Sequence, residues 1–91
     1  MTIVERLQEL NEQIKKLEED RSNIEKQWVK DIKEESDKPK FDFYSKKGEA
    51  KLLKISNKYA PLFYDIDEKK QELVEEYNYL YDRLEKMEEN D

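Results

Sequence analysis

The chain has 91 residues of which 35% are hydrophobic, a supply that fills a narrow seam but not a thick core, so one small domain is expected. Charged residues make up 46% against one Gly and two Pro, the composition of long helices and coiled coils more than of sandwiches or doubly wound sheets. The absence of Cys excludes disulfides, thiolate zinc sites and thiol nucleophiles, and the 11% of aromatic residues argue against a disordered chain despite a net charge of −6.

A helix is predicted from about residue 2 to residue 36. Thr2-Ile3-Val4-Glu5 fits a capping box, in which the Thr2 hydroxyl accepts from the Glu5 N–H and the Glu5 carboxylate reaches back to Thr2. Ile3, Leu7, Leu10, Ile14, Leu17, Arg21, Ile24 and Trp28 then follow alternating spacings of 4 and 3, the a/d seam of a coiled coil. Beyond Trp28 the apolar stripe slides to Ile32, as an inserted stutter would make it, so a loosened seam is expected there. Ser36-Asp37-Lys38-Pro39 ends the helix, because Pro39 disfavours helical geometry at Lys38.

Residues 37–48 read as a connector. Phe41 and Phe43 alternate, which allows a short strand, and Gly48 is available for a positive φ. Helical spacing resumes through Leu52, Ile55 and Tyr59, but Pro61 must kink a helix or start one, which favours a short helix over about 49–58 followed by a long one over about 61–88. That last helix repeats the seam, with Tyr59, Phe63, Ile66, Lys70, Leu73, Tyr77, Leu80, Leu84 and Met87 again spaced by 4 and 3. The expected fold is therefore all-α: an antiparallel helical hairpin, or coiled coil, of two long heptad helices with a short intervening helix and an aromatic, basic connector.

Antiparallel seams should pair residues whose numbers have a constant sum. Sums of 94, which sets Leu7 opposite Met87, and of 87 both satisfy the two seams, and a parallel or antiparallel homodimer stays open on periodicity alone. Arg21 and Lys70 are charges inside the seams, read as register-fixing residues with Glu18, Glu25 and Glu72 as internal partners.

Charge divides the chain into three parts, with net values of −2 for residues 1–29, +3 for 30–58 and −7 for 59–91. The C-terminal helix is an acidic rod carrying Asp65, Asp67, Glu68, Glu72, Glu75, Glu76, Asp82, Glu85, Glu88 and Glu89. Either a solvated face or a ladder of carboxylates offered to a basic or nucleic-acid-binding surface accounts for it. Val74, Tyr79, Tyr81 and Trp28 are the candidate anchors for such a partner, since tyrosine and tryptophan bury area while keeping a polar group paired. Val74, Tyr81, Val29 and Ile32 lie off the strict seam and suggest a second apolar face, filled by the short helix through Leu52, Leu53 and Ile55 or by another chain. At the connector, Lys46, Lys47 and Lys51 around Phe41, Phe43 and Tyr44 form the alternative site, with cations for phosphate and rings for stacking, although packing of the phenylalanines over the hairpin end is the simpler reading.

No His, no Cys and no glycine-rich phosphate loop is present, so neither catalysis nor a metal or cofactor is expected. The reading is a non-enzymatic protein-binding module, a small acidic regulator or inhibitor of a partner protein. The alternatives are a self-assembling coiled-coil scaffold or adaptor and, less supported, nucleic-acid binding through the connector. Heavy use of Lys, Glu, Asn, Ile and Tyr matches an AT-rich genome, bacterial, viral or of a mobile element. With no apolar run near the roughly 18 residues of a spanning helix, and a patterned helix beginning directly after Met1, a cytoplasmic protein with no membrane partner is expected.

Overall fold

The computed structural model describes residues 2–89, with side chains as far as residue 87. Two helices, α1 (Ile3–Ser36) and α2 (Lys46–Glu89), pack along their lengths as an antiparallel hairpin of 69 × 18 × 16 Å. The start of α1 shows one half of the predicted capping box: Thr2 is extended and its hydroxyl accepts from the Glu5 N–H at 3.1 Å, while the Glu5 carboxylate does not return to Thr2. Its end falls at Ser36, where the Asp37 N–H reaches back to the carbonyls of Lys33 and Glu35 before Pro39 stops further winding.

Three features of the connector half depart from the sequence reading. Helix α2 runs unbroken from Lys46 with Pro61 inside it, so there is no separate short helix over 49–58. Proline removes the N–H that would bond the Asn57 carbonyl, but it sits between packed turns, with Tyr59 buried just before it and Phe63 against Trp28 just after it, and this packing carries the helix across the gap. Phe41 and Phe43 form no strand; they lie in two successive turns closed by Phe41 N–H to Lys38 O and Ser45 N–H to Asp42 O. Gly48 is helical with negative φ, so its value is space and not a left-handed turn. A Cβ there would collide with the Asp42 carbonyl oxygen, because the connector folds tightly against the first turn of α2. Ser45 locks that approach by accepting from the Gly48 N–H at 3.0 Å while its hydroxyl donates to Asp42 O at 3.0 Å.

Cross-helix partners settle the register. Arg6 with Glu76, Arg21 with Asp67, Glu18 with Lys70 and Asp31 with Tyr59 have numbers adding to 82, 88, 88 and 90, which bracket 87 and leave out 94. In that register Leu7 faces Leu80, Leu10 faces Tyr77, Ile14 faces Leu73 and Ile24 faces Phe63. Among the described residues Leu7, Leu10 and Tyr59 are the buried hydrophobics, and the other seam residues are half-buried, with Met87 exposed at the open end, as two helices without a third layer must leave them.

Beyond Trp28 the seam broadens, with Ile32 and Ser36 half-buried beside it as the sliding stripe predicts. Its 3 and 4 spacing continues through Asp31 and Glu35, both half-buried, with Ser56 and Leu52 opposite. Tyr59 donates its hydroxyl to the Asp31 carboxylate, Trp28 Nε1–H donates to Ser56 Oγ at 3.2 Å, and Glu35 binds Lys38 at 2.6 Å and Lys51 at 3.8 Å. The seam is thus hydrocarbon towards the open end and takes in polar pairs beyond Trp28.

Candidate functional site

An antiparallel pair has two edges, where the residues flanking each seam meet their counterparts on the other helix, and an outer face on each helix. On one edge Arg21 Nε donates to Asp67 Oδ1 at 3.0 Å and Lys70 Nζ meets Glu18 Oε1 at 3.2 Å. These are the internal partners expected for the two seam cations, with Asp67 in place of Glu72; Glu25 stands further off, at 4.0 Å from Arg21. The Arg21 guanidinium also lies 5.0 Å from the Phe63 ring centre, so its charge is satisfied within the chain.

That same edge is apolar towards the open end. Val74 is half-buried, Tyr81 is 48% exposed and stacks on Tyr77 with ring centres 6.3 Å apart, and Val4 of α1, 49% exposed, is level with Tyr81 in the observed register. Ile32 and Leu53 occupy the corresponding positions near the connector. Because α2 is one straight-through element, the Leu52–Ile55 turn lies in line with the rest of the helix and covers none of this edge. Val4 and Leu53 are members of the edge that periodicity alone passes over; they emerge only once the register fixes which flanking residues meet.

Tyr79 does not join this group. Two residues along a helix turn the side chain by about 200°, which puts Tyr79 on the outer face of α2, 62% exposed, with the Arg83 guanidinium 5.9 Å from its ring centre. Trp28 is turned inward, half-buried, bonded to Ser56 and edge-on to Phe63 at 6.4 Å, so it anchors the hairpin itself. Val29 is exposed beyond the edge.

The carboxylates of the C-terminal helix divide into those the fold uses and those it leaves to solvent. Asp67 is bound by Arg21, Glu76 by Arg6 at 2.7 Å and Asp82 by Lys86 at 3.0 Å. Asp65, Glu68, Glu72 and Glu75 are exposed, and among the described residues none of the four has an ion-pair partner. Glu88 and Glu89 have side chains outside the described set. On the opposite edge a groove of about 380 Å³ is floored by Leu17 and Leu73 and rimmed by Lys16, Asp20, Lys69 and Glu72. Its charges alternate in sign without converging, and among the described residues no three acidic side chains come together to hold a metal ion.

At the tip, Phe41 and Phe43 meet edge-to-face at 4.9 Å, which uses the two rings on each other, while Tyr44 is almost fully exposed. Lys46 and Lys47 are exposed, and Lys51 reaches Glu35. Two carboxyl groups of this half are held below their usual range, Asp31 chiefly by the Tyr59 hydroxyl bond and Glu35 chiefly by the Lys38 bond; the Tyr59 phenol is raised by the same bond to Asp31. No helix is long and apolar enough to cross a membrane among the described residues. No protein-family model, no curated protein and no solved structure matches the chain.

Proposed function

We propose that this chain is a non-enzymatic protein-binding module, a small acidic regulator or inhibitor in the cytoplasm, whose partner presents a basic surface. The observation that carries the reading is the uncovered edge at the open end, where Val4, Val74 and the Tyr77–Tyr81 stack leave apolar and aromatic surface beside a carboxylate-rich helix. Aromatic anchors ringed by charge are the anatomy of a protein interface: the rings provide contact area that displaces water, and the net charge of −6 draws a cationic partner into encounter. Tyr81 is the chief anchor and Val4 and Val74 support it; Asp65, Glu68, Glu72 and Glu75 steer.

Nucleic acid is the weaker reading for the tip. The phenylalanine rings that would stack on bases stack on each other, Lys51 is drawn to Glu35, and a chain of net charge −6 is repelled by phosphate at long range.

Immobilised chain should capture its partner, and the variant carrying Tyr81→Ala and Val74→Ser should lose affinity for the captured protein by roughly 30-fold or more, the loss typical of an interface hot spot. Binding unchanged in that variant, with its helical circular dichroism intact, would remove the edge from the interface.

A further inference from the structure

The outer face of α2 bears a second heptad pattern, opposite the seam. Lys47, Lys51, Lys54, Lys58, Pro61, Asp65, Glu68, Glu72 and Glu75 follow one another at spacings of 4 and 3, and every one of them is exposed. Four cations run up to the proline and four carboxylates run on from it. Within a single helix this order is unfavourable: Lys51, Lys54, Glu68 and Glu72 each have like neighbours on both sides, three and four residues away along the stripe, and Lys47 stands in the first turn, where the macrodipole disfavours a cation. A face that served only solubility would interleave the signs.

The pattern is self-complementary. Turned end for end about Pro61, the stripe sets Lys47 against Glu75, Lys51 against Glu72, Lys54 against Glu68 and Lys58 against Asp65, with numbers adding to 122, 123, 122 and 123. A two-fold axis repeats all four pairs on the other side. At the axis the charges give way to Pro61 itself, flanked by Leu62 and Tyr64, which are 45% and 67% exposed for no reason internal to the hairpin. At each end Tyr79 comes level with the other copy's connector, where Tyr44 projects into solvent.

We propose that the outer face of α2 is an antiparallel, two-fold dimer interface for a second copy of this chain, with an apolar centre at Pro61, Leu62 and Tyr64 and alternating charged wings. This goes beyond the binding edge described above and does not use it: with the axis at Pro61 the open ends overhang the paired region, so Val4 and Tyr81 stay uncovered on both copies. A foreign basic partner and the second copy would compete for the same carboxylates, which makes dimerisation a brake on the first function.

The test is light scattering on a sizing column at about 0.01 M and about 1 M salt, between which the screening length falls from roughly 30 Å to 3 Å. The expected mass is twice 11.2 kDa at low salt and 11.2 kDa at high salt. In solution scattering, the dimer should be on the order of 85–90 Å long, set by the rise per residue either side of Pro61, against 69 Å for one hairpin. Two charge-reversed chains, one with Lys47→Glu and Lys54→Glu and one with Glu68→Lys and Glu75→Lys, should each be monomeric, and mixing them in equal amounts should restore the doubled mass. Monomeric wild type at low salt and every concentration would overturn the proposal, and so would a mixture no heavier than its components. The Tyr81→Ala, Val74→Ser variant should dimerise like the wild type, so the failure of one assignment is visible apart from the other.

Discussion

Gly48 shows how one residue can be indispensable for a reason other than the one its type suggests. Alanine has the better helix propensity, and at an ordinary helical site the exchange stabilises. Here the added methyl meets the Asp42 carbonyl, which Ser45 holds in place, so we expect Gly48→Ala to destabilise the hairpin by about 1–3 kcal/mol, the usual penalty of overpacking, read as a lower midpoint in urea. The Tyr59–Asp31 bond ties stability to pH from both sides. Asp31 and Glu35 are depressed in the folded chain, so their contribution is complete above the ordinary values of 3.8 and 4.5 and is lost as pH falls through the lower folded values. Tyr59 is raised, so its contribution is complete below its ordinary value of 10.0 and is lost as pH rises through the higher folded value. Thermal unfolding should show a plateau between those limits and a fall on each side, and Tyr59→Phe should remove the alkaline fall and blunt the acid one.

At the scale of the element, the two seams and the end of α1 were legible because apolar spacing, a capping threonine and a proline all act locally. Pro61 misled for the same reason: proline's preference for a helix start is local, whereas the packing of Tyr59 and Phe63 that overrides it is tertiary. We expect Pro61→Ala to raise the melting temperature, since it restores an N–H for the Asn57 carbonyl and removes a penalty of roughly 3 kcal/mol; circular dichroism would show a lower temperature instead if the proline ring is part of the packing. Asp31 and Glu35 escaped notice because hydrophobicity is the signal by which a seam is found, and their acceptability at seam positions depends on Tyr59, Lys38 and Lys51, which the chain supplies from the connector and the other helix. The register escaped because a shift of one heptad leaves periodicity unchanged. What decides it is the short connector: Ser36 and Lys46 add to 82, near 87 and far from 94.

At the scale of the whole molecule, the sequence announced which residues are charged and aromatic but not which of them the fold consumes. Trp28, Asp67 and Glu76 are spent on holding α1 to α2, and Tyr79 is separated from Tyr81 by the turn of the helix, so the candidate surface contracts to the Val4, Val74 and Tyr81 edge and the stripe of free carboxylates. The antiparallel order also has a mechanical consequence. Residues 2 and 89 lie at the same end of a 69 Å rod, so a load applied through them opens the hairpin one layer at a time from Leu7 and Leu80 inward, like a zipper. Pulled from the connector against either terminus, the same rod carries the load along a single helix, and the seam layers are not parted in turn. The chain is therefore compliant along one axis of pull and stiff along another, and whatever is attached at the open end can peel it apart with far less force than is needed to stretch it along a helix.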